Sequence, residues 1–267
     1  MDADEALGLS RDISHTIEKA IGSLSLEDAG RTVGMGADGT PTKKIDDVAE
    51  RATLDVIRAG GYSMRVVSEE AGEVIIGDAT DSTLVLDPID GTTNATRGLP
   101  SYTVSIALAH NNLSDVWFGY VYDFSSGKEY YASRGKGAYS DGRKLAASSI
   151  SKLSESMLTL YGIHQKPELM CKLAISCKRL RMVGCASLEL CHVASGAIEG
   201  YVDLRGKLRT IDVAAGIIIV QEAGGSATDG HARPLADSID VSPKLRVVAA
   251  CAPVHTQLIE MIQRASV

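Results

Sequence analysis

A chain of 267 residues with 45% apolar side chains can bury a full core, and its length fits one layered domain made of two packed halves, about 1–150 and about 151–267. The formal charge of −7 comes from 34 acidic and 27 basic residues spread without runs of like charge, which excludes the basic stripe a nucleic-acid backbone requires. No stretch approaches the roughly eighteen apolar residues of a membrane span, and the opening MDADEALGLS lacks the basic and apolar regions of a secretion signal. The expected compartment is therefore the cytoplasm, with neither membrane nor nucleic acid as partner.

Taken in chain order, the pattern predicts an opening helix over Asp4 to Leu24 and a glycine-rich loop from Gly34 to Thr42. A second helix starts near Lys44, with Ile45, Val48, Ala49, Ala52 and Val56 on one face and Asp46 in its first turn. After Gly60-Gly61 the period changes. Val66-Val67 and Thr83 to Leu86 are short β-rich runs, each followed by acidic residues, and Pro88 is expected to end the second of them because it cannot donate to a ladder.

An antiparallel meander follows over Val104 to Ala109, Val116 to Tyr122 and Glu129 to Ala132, with Asp141-Gly142 as a hairpin turn. The last part mixes strands near Met157 to Tyr161, Arg179 to Val183, Tyr201 to Asp203 and Arg246 to Ala250 with helices near Ser187 to Ala197, Val213 to Ala223 and Val254 to Arg264. Helices, then a meander, then alternation give an α+β class with helices between and outside layered sheets. The five cysteines match no metal or redox spacing and read as buried, reduced thiols.

The chemistry concentrates in Asp87 to Asn94, D-P-I-D-G-T-T-N, directly after a strand. Two carboxylates three residues apart flank a tight turn, and a helix opening at Gly91-Thr92-Thr93 would set free N–H groups beside them. A lone D-x-x-D is more often a solvated turn, and the spacing is not that of an EF-hand. Phosphate-monoester hydrolysis needs accelerations of up to about 10²¹-fold, whereas general acid–base catalysis supplies only about 10²- to 10⁴-fold. Metals must carry most of the difference, and hard oxygen ligands select Mg²⁺ or Mn²⁺.

The tract Asp87 to Asn94 resembles the signature of the inositol monophosphatase family, part of a lithium-sensitive superfamily that includes fructose-1,6-bisphosphatases. Ser68-Glu69-Glu70 stands where that family has paired glutamates, and Ile211 to Gly216 resembles its W-D-x-A-A-G element with isoleucine in place of tryptophan. Gly36 to Asp46 is most similar to the archaeal dual-specificity branch.

The resemblance implies a layered αβαβα sandwich of the sugar-phosphatase type. It also implies two to three Mg²⁺ per site, with Mn²⁺ as a substitute. Glu69, Asp87 and the Ile89 carbonyl would hold one ion, and Asp87, Asp90 and Asp212 a second; a third would lie near Glu69 and Glu70. Asp46 and Thr92 would orient and deprotonate the attacking water, with Glu70 beside them. Asp90, Gly91, Thr92, Arg181, Ala186 and Arg205 would contact a small phosphate-ester substrate.

The implied activity is hydrolysis of inositol 1-phosphate and fructose 1,6-bisphosphate, by a homodimer. The alternatives are a 3′-phosphoadenosine-type phosphatase, ranked lower because few aromatics lie near the expected pocket, and a catalytically silent binding or scaffold protein of the same fold.

Overall fold

The structure is a computed structural model and describes residues 1–78, 82–242 and 244–265. The amphipathic opening segment forms α1 (Ala3–Ile21), capped by Asp2, whose carboxylate accepts the N–H groups of Asp4 and Glu5 at 3.0 and 2.9 Å. A short α2 (Leu26–Gly30) leads into β1 (Thr32–Met35) and β2 (Pro41–Lys43), and α3 (Lys44–Ala59) follows at once. The glycine-rich stretch expected to be a loop is instead the tip of a β-hairpin. Thr32 pairs with Lys43 across its ladder, and the Gly36 N–H donates to the Thr40 carbonyl at 2.8 Å.

Next come β3 (Met64–Ser68), β4 (Gly72–Ile76), β5 (Thr83–Asp90), a one-turn α4 (Thr92–Thr96), β6 (Thr103–Ala109), β7 (Phe118–Asp123), β8 (Lys128–Ser133), β9 (Gly137–Ser140) and β10 (Arg143–Lys144). These strands form a sheet in the order β10-β9-β8-β7-β6-β5-β3-β4, antiparallel except where β3 and β5 run parallel. Asp141-Gly142 makes the last hairpin as expected, both residues having positive φ. The expectation that Pro88 ends its strand is corrected: β5 continues to Asp90. Pairing with β6 jumps from Asp87–Ser105 to Asp90–Thr103, so Pro88 and Ile89 occupy a bulge where a missing N–H costs no ladder bond.

The remainder is β11 (Met157–Tyr161), α5 (Pro167–Ser176), β12 (Arg179–Leu180), α6 (Ala186–Ala194), β13 (Gly200–Leu208), α7 (Thr210–Glu222), β14 (Gly225–Thr228), β15 (Leu245–Cys251) and α8 (Ala252–Arg264). Its sheet runs β12-β11-β13-β15-β14.

Strand alternation sorts the core into layers. On β5, Leu84 and Leu86 pack with α1 and α3 while Val85 joins α6 and α7 on the other face. On β13, Tyr201 points inward to α6 and α7, and Val202 and Leu204 point outward to α5 and α8. The order is therefore α1/α3, large sheet, α6/α7, small sheet, α5/α8, the αβαβα sandwich. Helix α7 lies between two sheets, which explains why it is apolar all round: every residue from Thr210 to Val220 is buried.

The sheet and α7 approach most closely at Gly119 of β7, where an added Cβ would sit 2.8 Å from the Ala215 carbonyl oxygen and 2.6 Å from the Ile218 side chain. Gly119→Ala is expected to destabilise the fold by about 1–3 kcal/mol through overpacking, read from urea denaturation; an unchanged midpoint would show that α7 is not clamped there.

Candidate functional site

Four elements converge on one pocket at the end of β5. Asp87 and Asp90 flank the bulge, and Gly91 starts α4 in the left-handed region, φ 88°, with an added Cβ 2.8 Å from the Ser101 carbonyl oxygen. Asp46 and Asp212 occupy the same position in two different helices, the third residue of the first turn of α3 and of α7. In each, one carboxylate oxygen accepts the N–H of the residue preceding the helix, Lys43 at 3.2 Å and Arg209 at 2.8 Å. The other oxygen faces the pocket, where Asp46 Oδ1 meets the Thr92 hydroxyl and Asp212 Oδ1 meets the Arg209 guanidinium.

The turn after β3 brings in Glu69 and Glu70. Buried Glu50 of α3 anchors it, accepting the Ser68 hydroxyl and the N–H groups of Glu70 and Ala71, both at 3.2 Å. Glu70 in turn accepts the Thr42 hydroxyl, and its carbonyl accepts the Ala37 N–H at 3.0 Å, so the β1–β2 hairpin tip rests on this turn. Asp90 accepts the Ser187 N–H at 2.7 Å, the Ser187 hydroxyl at 2.6 Å and the Cys185 thiol at 3.2 Å, all from the start of α6. The Thr92 hydroxyl lies 3.0 Å from Asp46 Oδ1 and 2.9 Å from the Ile89 carbonyl oxygen; with one proton, it donates to one of them at a time.

Positive charge in the cluster comes from Arg209. Its guanidinium reaches Glu69 at 2.5 Å, Asp38 of the hairpin tip at 2.7 Å and Asp212 at 2.7 Å. Burial opposes its charge, but Asp212, Glu69 and Asp87 outweigh that and hold its pKa above the usual arginine value. The acids respond in the opposite sense. Burial, then the charges of Glu69, Asp90 and Asp212, drive Asp87 well above the carboxylate range. Asp46 is pushed up to about 7 by burial and by Glu69, and Glu69 to about 7 by burial against the pull of Arg209.

Asp87, 1% exposed, leaves Oδ1 without any hydrogen-bond partner. A buried carboxylate oxygen with no donor, facing other carboxylates, is the chemistry a hard divalent cation satisfies. Among the described residues, no three His, Cys, Asp or Glu side chains yet close on a single point, because Arg209 stands between Glu69 and Asp212. The donor set thus fits a cation, with Arg209 as its competitor.

Beside the acids is a cavity of about 230 Å³ whose lining includes Asp90, Ala186, Arg205, Arg209 and Asp212. Arg205 is fixed by Asp203, with a 2.6 Å ion pair, and lies 4.6 Å over the Tyr161 ring. Tyr161, partly buried, gives the cavity one aromatic face, with Tyr201 fully buried behind it. Ala186 and Arg205 thus share the wall of this cavity with Asp90 and Asp212. Arg181 is exposed, its guanidinium turned back to the Leu180 carbonyl at 2.7 Å, and is absent from the lining. Sequence reasoning missed Arg209 as the hub and Asp38 as its partner; the only local signal was an arginine three residues before Asp212.

Residues 4–266 match the sequence model of the Inositol monophosphatase family. The chain is 40% identical to the fructose-1,6-bisphosphatase/inositol-1-monophosphatase of Archaeoglobus fulgidus, over 98% of this chain and 100% of that one. It is 31% identical to a bifunctional NADP phosphatase/NAD kinase of Methanococcus maripaludis, over 95% of this chain and 48% of that protein. A solved inositol monophosphatase–fructose 1,6-bisphosphatase superposes with a TM-score of 0.85 at 29% identity, covering 98% of this chain and all of the other.

The raised carboxyls set a pH dependence. Unfolded, Asp46, Glu69, Asp87 and Asp90 titrate at about 4; folded, all titrate higher, Asp46 and Glu69 at about 7. Between those values the folded chain carries more protons than the unfolded one, so stability is full below the window and is lost as pH rises through it. In chelator, the melting temperature is expected to fall between pH 5 and about pH 7.5, and Asp87→Asn is expected to flatten the fall. A melting temperature that rises over that range would contradict the electrostatics.

Proposed function

The chain belongs to the inositol monophosphatase family, metal-dependent phosphatases that usually use Mg²⁺, and from that premise we propose that it hydrolyses inositol 1-phosphate and fructose 1,6-bisphosphate at the β5 pocket. The observation that carries this reading is the buried Asp87 oxygen without a partner, set among Glu69, Asp90 and Asp212. Glu69, Asp87, Asp90, Asp212 and the Ile89 carbonyl are the residues that would hold two to three Mg²⁺, or Mn²⁺ in their place. When bound, the ions supply Lewis acidity for the phosphate oxygens and lower the pKa of the attacking water.

The chain's own residues do the rest. Thr92 passes a proton from the water to Asp46, whose burial raises its pKa and makes it a better proton acceptor than an exposed aspartate. Glu70 holds the hairpin beside the pocket, its carboxylate accepting the Thr42 hydroxyl of β2 and its carbonyl the Ala37 N–H of the tip. Gly91 lets the backbone of α4 come close to the phosphate, and the Thr92 N–H lies outside the helix's own bonding. Ala186 leaves room for the polyol, while Arg205, locked by Asp203 and Tyr161, offers a fixed cation to a second phosphate. Arg181, outside the cavity, could reach it only by turning away from the Leu180 carbonyl.

In this reading the first half of the chain supplies most metal-binding and water-activating groups, and the second half supplies the substrate wall and Asp212. A homodimer is part of the same proposal; the exposed Ile175 and Met182 beside edge strand β12 offer it an apolar surface. A nucleotide substrate is the second reading, favoured by Tyr161 in the cavity wall. It is disfavoured because Arg205 already covers the Tyr161 ring on which a purine would stack.

With Mg²⁺, phosphate release from inositol 1-phosphate and fructose 1,6-bisphosphate is expected to exceed that from adenosine 3′,5′-bisphosphate. Chelator should abolish it, and Asp87→Asn should lower kcat by roughly 10³-fold while the protein stays folded. Full activity in that variant would refute the metal assignment, and preference for the adenosine compound would replace the substrate assignment.

A further inference from the structure

Behind β13, on the face opposite the β5 pocket, lies a second cavity of about 370 Å³. Leu204 lines this cavity and the next residue, Arg205, lines the other. Part of its wall is apolar, with Leu235, Leu245 and Ile262 beside Leu204. Its charged lining is Lys166, Arg233, Lys244 and Arg246 against Asp229 and Asp237, with His231 at the edge. Arg233 is paired with Asp229 and Lys244 with Asp240, each at 2.7 Å. Among the described residues, Lys166 and Arg246 enter no ion pair, in a chain with a net charge of −7. Lys166 and Arg246 outnumber Asp237, which also enters no ion pair among the described residues, and this excess of positive charge beside an apolar patch is the complement of a small anion with an uncharged remainder.

Arg246 is also part of the strand geometry. The pairing of β13 with β15 shifts register between Asp203 and Leu208, which bulges Arg205, Gly206 and Lys207 out of the ladder. Within the bulge the Leu204 carbonyl accepts Arg246 Nε at 3.3 Å, a side-chain bond where the sheet offers none. Gly206, at φ 68°, lies so near that an added Cβ would be 3.1 Å from the Arg246 guanidinium carbon. An anion that draws Arg246 toward the cavity therefore acts on the carbonyl immediately before Arg205.

We propose that this cavity binds a small phosphorylated molecule through Lys166 and Arg246, and that its occupancy is transmitted across the β13 bulge to Arg205 in the substrate pocket. The transmission concerns substrate selection only if the β5 pocket is the phosphatase site, but the binding does not depend on that reading.

The probe is phenylphosphonate, whose C–P bond resists hydrolysis and whose ring matches the apolar patch. It is titrated into the full-length protein in chelator and followed by methyl NMR of leucine and isoleucine and by the Arg205 backbone amide. Saturable shifts at Leu235, Leu245 and Ile262 are expected. The combined variant Lys166→Gln with Arg246→Gln should weaken them about tenfold or more through loss of charge-assisted bonds. Shifts confined to Ile89 and Ile211, or equal affinity in the variant, would overturn the site. A stationary Arg205 amide at saturation would overturn the transmission. A melting temperature for the variant within the wild-type range excludes misfolding as the cause, and Arg246→Lys, which keeps the charge, should retain most of the binding. Failure of the phosphatase reading would leave this titration unchanged.

Discussion

Carboxylates gathered in a partly dehydrated pocket repel one another, and the fold around β5 is arranged so that something positive must lie among them. Glu69, Asp87, Asp90 and Asp212 are held by strands, turns and helix starts that pack for their own reasons, so the acids cannot spread apart to relieve the repulsion. Arg209 supplies one charge, shared among Glu69, Asp38 and Asp212. That single charge leaves Asp87 both buried and without a donor. Proton uptake, Arg209 and a divalent cation are three ways of meeting the same electrostatic demand, and only the last also brings catalytic power.

The scaffold places the acids by repeating a few local devices. The bulge after Asp87 turns a proline from a strand breaker into a spacer, so two carboxylates leave the sheet at one edge. Helices α3 and α7 each present an aspartate in the first turn, with one oxygen spent on the helix and one kept for the site. Layering then matters: α7 can carry Asp212 to the end of β5 because it lies between the two sheets, a position its apolar sequence dictates. The hairpin tip reaches the same place through Glu70 and Asp38, which links the glycine-rich segment to the acids.

Much of this was legible in the amino-acid order. The heptad-like face of α3, the Asp141-Gly142 turn, the span of β11 and the apolar run in α7 all carry local signals that tertiary contacts reinforce. The acids were legible because Asp87 to Asn94 is contiguous and follows a strand. The misses have physical causes. Strand β14, Gly-Ser-Ala-Thr, has little β propensity and exists through its pairing with β15. The hairpin was hidden by its glycines, which argue for a loop although backbone pairing decides otherwise. The contact of Arg209 with Asp38 joins positions 171 residues apart, and no local pattern encodes it.

In the proposed function this acidic pocket is a cation site for which Arg209 competes. Crystals grown with Mn²⁺ and measured at its anomalous edge address it directly. Anomalous peaks are expected beside Asp87, near Glu69, Asp90 and Asp212, with the Arg209 guanidinium withdrawn from Glu69. Anomalous density only elsewhere on the molecule, with Arg209 still bridging Glu69 and Asp212, would contradict it.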